Sequence, residues 1–357
     1  MIWIKNHNEI KKNLKIIFTL FTVVLSIFCA INYSKECSKG VINGISFCVS
    51  VLIPSLFLFM IIASYISNSV ISKIIGTPFE RLATKLLNLP NGSSGVLILS
   101  LIGGYPIGAR CIESLYLNNK LNEEQAKKLS LVAVSSGPGF VMNYVGEALL
   151  NSKKAGIILF VSQIIGFFTT ALIIGRCVKI KDDNVVIKQE DSNGSFVDAV
   201  EKGCKSTVSM CAMVIVFSAI IEVINKVVIS QPLSCDVLSG ILEVTTGCNR
   251  LSLKYPLHII SAVIGFGGIC VHAQVFSALK SVKINKGLFF LSRIIQGITS
   301  GFSTYILLIL FPISINVFSS VEKTIPTTKT PLVGSIALIL TAVCFLNSTS
   351  KINLKRR

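Results

Sequence analysis

Charge is what this chain has least of. Only 14% of its 357 residues are Asp, Glu, Lys or Arg, too few to cover a water-soluble globule of that length. Acidic residues are the scarcer kind, 17 against 34 basic. The eleven cysteines form no Cys-x-x-Cys pair, so a paired-thiol redox centre and a zinc ribbon both lack ligands. Most of them sit in apolar windows, as small buried hydrophobes do. Cys111, Cys270 and His272 offer no helical pair at i, i+4, and no metal or other cofactor is expected. The H-E-x-x-H and G-x-S-x-G patterns are missing, and no two acids stand at a catalytic spacing. The chain does not read as an enzyme.

Apolar length fills the space that charge leaves. Uncharged windows run 16–34, 40–72, 86–109, 129–146, 155–175, 255–279, 294–321 and 330–350, with a shorter one at 206–221. Stretches of this length cross a bilayer as helices. The expected fold is therefore an all-α polytopic protein of a cell membrane. The formal net charge of +17 would suggest nucleic acid in a soluble protein; here Lys and Arg occupy short loops between spans, where they meet anionic lipid headgroups and set orientation. Membrane lipids are the expected partner, and nucleic acid is not. The basic, then apolar, N-terminus resembles a signal peptide without a small-residue cleavage site, so it reads as an uncleaved first span.

One polar break, "RCVKIKDDNVVIKQEDSNGSF" at 176–196, divides the chain. Around it the sequence organises as an N-terminal segment with the first span (1–39), a first repeat (40–175), a polar cytoplasmic linker (176–198), a second repeat (199–321), and a last span with a basic tail (322–357). "GISFCVSVLIPSLFLFMII" from Gly44 lines up with "GCKSTVSMCAMVIVFSAII" from Gly203, and "LIGGYPIGAR" at 101–110 then overlies "VIGFGGICVH" at 263–272. Gly- or Pro-broken apolar segments at corresponding places in two halves point to a transporter's central site. If both broken segments, 94–118 and 256–279, turn back as re-entrant hairpins, the repeats are inverted, and the basic loops at 73–85, 120–128 and 176–205 share the cytoplasmic side. This predicts about seven transmembrane helices plus two glycine-broken hairpins.

Candidate solute-binding residues follow from the breaks. Gly103, Gly104, Tyr105 and Pro106 at the first, and Gly265, Gly267 and Gly268 at the second, would expose peptide groups to a ligand, although glycines also serve close helix packing. Arg110 and His272 hold matching positions and either face a central cavity or act structurally, Arg110 pairing with Glu113 at i+3 and His272 buried with a satisfied hydrogen bond. Glu243, beside Thr245 and Thr246 in "ILEVTTGCNR", could coordinate a cation or accept bonds from a polar solute; the same stretch could be an interfacial helix with a Gly cap. Ser136, Gly139 and Asn143 after the first break, and Gln296 after the second, could line the same space, though Ser and Thr often bond back to their own helix.

The segments "GGYPIGARCIESLY", "SSGPGFVMNYVG" and "GILEVTTGCNRLS" resemble those of the sporulation integral membrane protein YlbJ family, which belongs with the nucleoside-recognition or Gate-domain membrane proteins. That resemblance implies two Gate-like repeats and a role in forming the spore cortex, in the mother-cell or forespore membrane. Two functions fit it: a permease for a small polar solute working by alternating access, and a non-transporting scaffold for cortex-assembly proteins. A homo-oligomer is compatible with either.

Overall fold

The computed structural model describes residues 23–67, 71–178, 195–227, 232–252 and 254–313, with 17, 20 and 21. The start of the N-terminal segment, most of the polar linker, and the final predicted span with its basic tail lie outside the described residues. Among the described residues there is no strand. A short apolar helix α1 (Val23–Asn32) leads into α2 (Ser34–Ile66), which carries a π-type turn at Cys48–Leu52. After α3 (Ile71–Gly76) come α4 (Ser93–Gly103), α5 (Tyr105–Leu117), α6 (Glu123–Val132), α7 (Gly139–Leu149) and α8 (Lys153–Cys177). The second half contains α9 (Phe196–Val227), α10 (Pro232–Leu242), α11 (Val244–Leu251), α12 (Leu257–Phe266), α13 (Gly268–Ala278) and α14 (Lys286–Leu310).

Among the described residues, five stretches are long and apolar enough to cross a membrane: α2, α8, α9, α12 with α13, and α14. Their patterning is that of a membrane bundle turned outward. On α14, Leu291, Ile294, Ile298, Phe302 and Ile309 are exposed, while Arg293, Gln296, Ser300 and Thr304 are buried. Both sets recur at helical spacing on opposite faces, so the apolar stripe faces lipid and the polar stripe faces protein.

The breaks differ in what they do. At Gly104 the backbone takes φ 80° and ψ −172°, a conformation nearly reserved for glycine, and Pro106 enters the first turn of α5, where its missing N–H is harmless. A Cβ on Gly108 would come within 2.9 Å of Ser100 Cβ, so α5 lies back along α4. A second fold-back occurs at Glu243, where α10 and α11 touch so closely that a Cβ on Gly247 would overlap the Gly240 backbone. By contrast α12 and α13 run on across Gly267 as one 22-residue apolar stretch.

The sequence reading places the second fold-back at 256–279, and the structure moves it to 232–251. A glycine break permits either a kink or a reversal, and reversal requires the two arms to touch. Small residues flank the two real reversals: Ser100 and Gly108 around Gly104, Gly240 and Gly247 around Glu243. Around Gly267 the corresponding positions four residues either side are the branched Val263 and Val271. Each half therefore has the same order: a long helix (α2 or α9), a folded-back pair (α4–α5 or α10–α11), a broken pair (α6–α7 or α12–α13), and a long helix (α8 or α14). Halves interlock through α2 on α9 and α8 on α14.

Polar contacts mark the two ends of the bundle. At one end Asn88 donates to the Gly175 carbonyl, Lys128 donates to the Asn88 carbonyl, and Glu113 accepts from the Ser281 N–H. Near the other, Glu222 holds Lys39 at 3.1 Å and Arg250 at 3.3 Å, and Asp236 pairs with Lys254. Caps fix where helices start: Asn122 and Gln125 form a reciprocal capping box on α6, a feature worth about 0.5–2 kcal/mol. Glu80 accepts from the Gly92 N–H and the Ser94 hydroxyl, placing a carboxylate at the N-terminus of α4.

Candidate functional site

Three of the four interruptions line one cavity, and the fourth, at Gly267, packs against two of them. The cavity wall combines Gly103, Gly104, Tyr105 and Pro106 from the first fold-back, Gly137, Gly139 and Phe140 from the α6–α7 break, Glu243, Val244 and Thr245 from the second fold-back, and Val271 and Gln274 of α13, closed by α2 and α9. The breaks abut in pairs. A Cβ on Gly104 would sit 3.2 Å from the Gly137 nitrogen, and one on Gly268 would sit 3.1 Å from the Val244 nitrogen. Each folded-back tip thus rests against the broken helix of its own half.

Side chains then tie each half to the other. The Tyr105 hydroxyl donates to the Ile264 carbonyl at 2.6 Å, while the Tyr144 hydroxyl reaches the Thr245 carbonyl at 3.4 Å. Gln163 on α8 donates to the Ser261 carbonyl and hydroxyl of α12, both at 3.0 Å. Arg293 on α14 makes a second link between the halves, donating to the Leu131 and Val134 carbonyls at 2.8 and 2.6 Å and to Gln296 Oε1 at 2.7 Å. Those carbonyls end α6 and have no next turn to bond, so a guanidinium with five donors supplies what the interrupted helix lacks.

Glu243 is 1% exposed and caps α11. One oxygen accepts from the Thr245 N–H at 2.9 Å; the other accepts from the Thr246 N–H at 2.6 Å and from the Thr245 hydroxyl. The helix N-terminus offsets the carboxylate's charge, and a cation would compete with three donors already in place. Among the described residues no three His, Cys, Asp or Glu side chains come together as a metal site.

The remaining sequence candidates separate. Ser136 is buried at the α6–α7 break beside the Tyr105 phenol, and Gly265 packs on the Gln296 carbonyl. Gly267 meets the Tyr105 ring. His272 is buried away from the cavity: its Nε2 donates to the Phe266 carbonyl at 2.8 Å, and Phe266, Phe289 and Phe290 surround its ring edge to face. Asn143 is exposed on α7. Arg110 and Glu113 do not pair; Arg110 donates to the Ser206 hydroxyl of α9 and lines a different cavity. Arg293, Gln163 and Gln274 were not among the sequence candidates. Their signal is the polar stripe itself: Ser292, Arg293, Gln296 and Ser300 recur at helical spacing within an apolar helix.

Chemically the cavity offers a mostly apolar wall, one capped carboxylate, the Gln274 amide and the peptide groups of the tips. It has room of about 50 Å³ for the centres of water-sized molecules, enough for a few waters at roughly 10–15 Å³ each and too little for a nucleoside.

No family model matches the chain, and no solved structure matches it. It is 24% identical over 309 residues to the sporulation integral membrane protein YlbJ of Bacillus subtilis (strain 168), covering 74% of this chain and 75% of that protein. Shared sequence across three quarters of both proteins, together with five bilayer-length apolar helices, makes this chain a multi-pass membrane protein related to the YlbJ sporulation proteins.

Proposed function

We propose that the chain is a sporulation membrane permease, without enzymatic activity, that passes a small polar solute between the folded-back tips by alternating access. The observation that carries this reading is the convergence of three helix breaks on one cavity, with the fourth packed against them. Unwound backbone inside a membrane is tolerated where it is buried in protein or lines a cavity, and paired breaks in two halves are how transporters build a midplane site. Both folded-back pairs are read as re-entrant and the repeats as inverted, with the end holding Asn88, Lys128 and Ser281 in the cytoplasm. The basic residues near that end, among them Lys120, Lys127, Lys280 and Lys283, favour this orientation. The related protein's name supports the sporulation setting, and cortex formation is the process we assign to it.

Alternating access means that the cavity opens to admit solute, so a ligand of the open state shifts the melting temperature of the purified full chain. Nucleosides, amino sugars, peptidoglycan precursors and divalent cations form the panel, with Gln274→Leu in parallel because Gln274 lines the cavity without capping a helix. A concentration-dependent shift in the wild type that Gln274→Leu abolishes supports a solute site. The absence of any shift from well-folded protein overturns it in favour of a scaffold for cortex-assembly proteins. That second reading draws on the small cavity and on the four side chains that tie the halves shut.

A further inference from the structure

We propose that a second cavity, between α2, α4, α5 and α9, is a binding site for a phosphate-bearing anion. It is the larger space, with room of about 240 Å³ against about 50 Å³ at the centre, and its lining is chemically different. Arg110, Lys202, Ser206 and Ser114 contribute polar groups, and no Asp or Glu is among its lining residues.

The case rests on Arg110. A guanidinium at membrane depth is ordinarily neutralised by a carboxylate or absorbed by carbonyls, as Arg293 is. Among the described residues Arg110 instead makes a single side-chain bond, to the Ser206 hydroxyl. Glu113, one turn away, is turned aside to the Ser281 N–H, and its other oxygen is buried with no partner. Arg110 lines the cavity, and a guanidinium is the planar fork that matches a phosphate bidentately. Lys202 adds a second positive charge from the same face of α9, one turn before Ser206.

Depth fits the ligand. Lys202 and Ser206 lie about 9 and about 15 Å along α9 from its first residue, and a 32-residue helix outlasts the roughly 30 Å hydrocarbon core. The site therefore falls at and just beneath the headgroup layer, open both to a lipid phosphate and to free phosphate. Met60 lines this cavity and the central one, so one thioether wall separates the two. Nothing in the inference depends on whether the central cavity transports.

The test uses full-length protein. In one arm, wild type in phosphatidylcholine nanodiscs is titrated with inorganic phosphate and its melting temperature recorded. In the other, detergent-purified protein is equilibrated with phosphatidylglycerol, and retained lipid is counted by native mass spectrometry. The expected result is saturable stabilisation by phosphate, or one retained phosphatidylglycerol per chain, with apparent affinity at least about tenfold weaker in Arg110→Gln. Arg110→Lys should recover part of it. Lys202→Gln, at the exposed rim, keeps the protein folded and should weaken binding several-fold. Retention of lipid without response to phosphate assigns a headgroup site, and the converse assigns a soluble anion. Equal binding by wild type, Arg110→Gln and Lys202→Gln, or no binding in either arm, overturns the proposal.

Discussion

Individual residues carry unequal shares of this structure. Gly104 holds a backbone conformation that other residues enter only under strain, at φ 80° and ψ −172°. Gly104→Ala should cost about 1–3 kcal/mol and lower the melting temperature; an unchanged melting curve would mean that the tip relaxes. Arg293 is 1% exposed and bonds two carbonyls and one amide. Arg293→Gln leaves the carbonyls that end α6 short of donors, each worth about 1–3 kcal/mol when buried. We expect strongly reduced yield of monodisperse protein, with Arg293→Lys intermediate because an ammonium reaches fewer of the four acceptors, the Ser292 hydroxyl included. If Arg293→Gln purified and melted like the wild type, the capping role would be wrong.

Among helices, the decisive feature is whether a break reverses the chain. Contact between Gly240 and Gly247 lets α10 and α11 lie together, as small residues do between membrane helices. Gly247→Val should force the arms apart, destabilise the protein and disrupt the Glu243 tip. Gly287→Ala provides the contrast, because a Cβ there meets nothing closer than 3.5 Å. That change should be neutral or stabilising by up to about 1 kcal/mol. Equal effects of the two substitutions in a thermal melt would remove the packing argument for the second fold-back.

For the whole molecule the prediction is topological. With the fold-backs re-entrant and α12–α13 crossing, single cysteines at Asn119 and Lys283 in a cysteine-free background should react with a membrane-impermeant maleimide only from the cytoplasmic side. Lys153 and Lys254 should react only from the opposite side. Labelling of 254 and 283 from the same side would return the second reversal to 256–279 and undo the pairing of the two halves. Cross-links such as Tyr105 to Ile264 and Gln163 to Ser261 hold the halves together, so any transport cycle has to exchange them.

Much of this was legible from residue order. Long uncharged windows admit only helices in lipid, because every backbone group must be bonded within the segment, and that determined the all-helical membrane class. Glycines and a proline inside apolar runs marked places where helices stop, and Gly104 is a tip, whereas the sequence offers Glu243 only as a ligand candidate and its place at the second tip comes from the structure. What each break does, kink or reversal, was decided by packing between distant residues, as in the close approach of Gly240 and Gly247. The partner of each charged group was likewise a tertiary matter. Arg110 and Glu113 are one turn apart in sequence yet face Ser206 and Ser281, and Arg293 meets carbonyls some 160 residues away. Local spacing settles which face a residue occupies; what waits on that face depends on how distant helices come together.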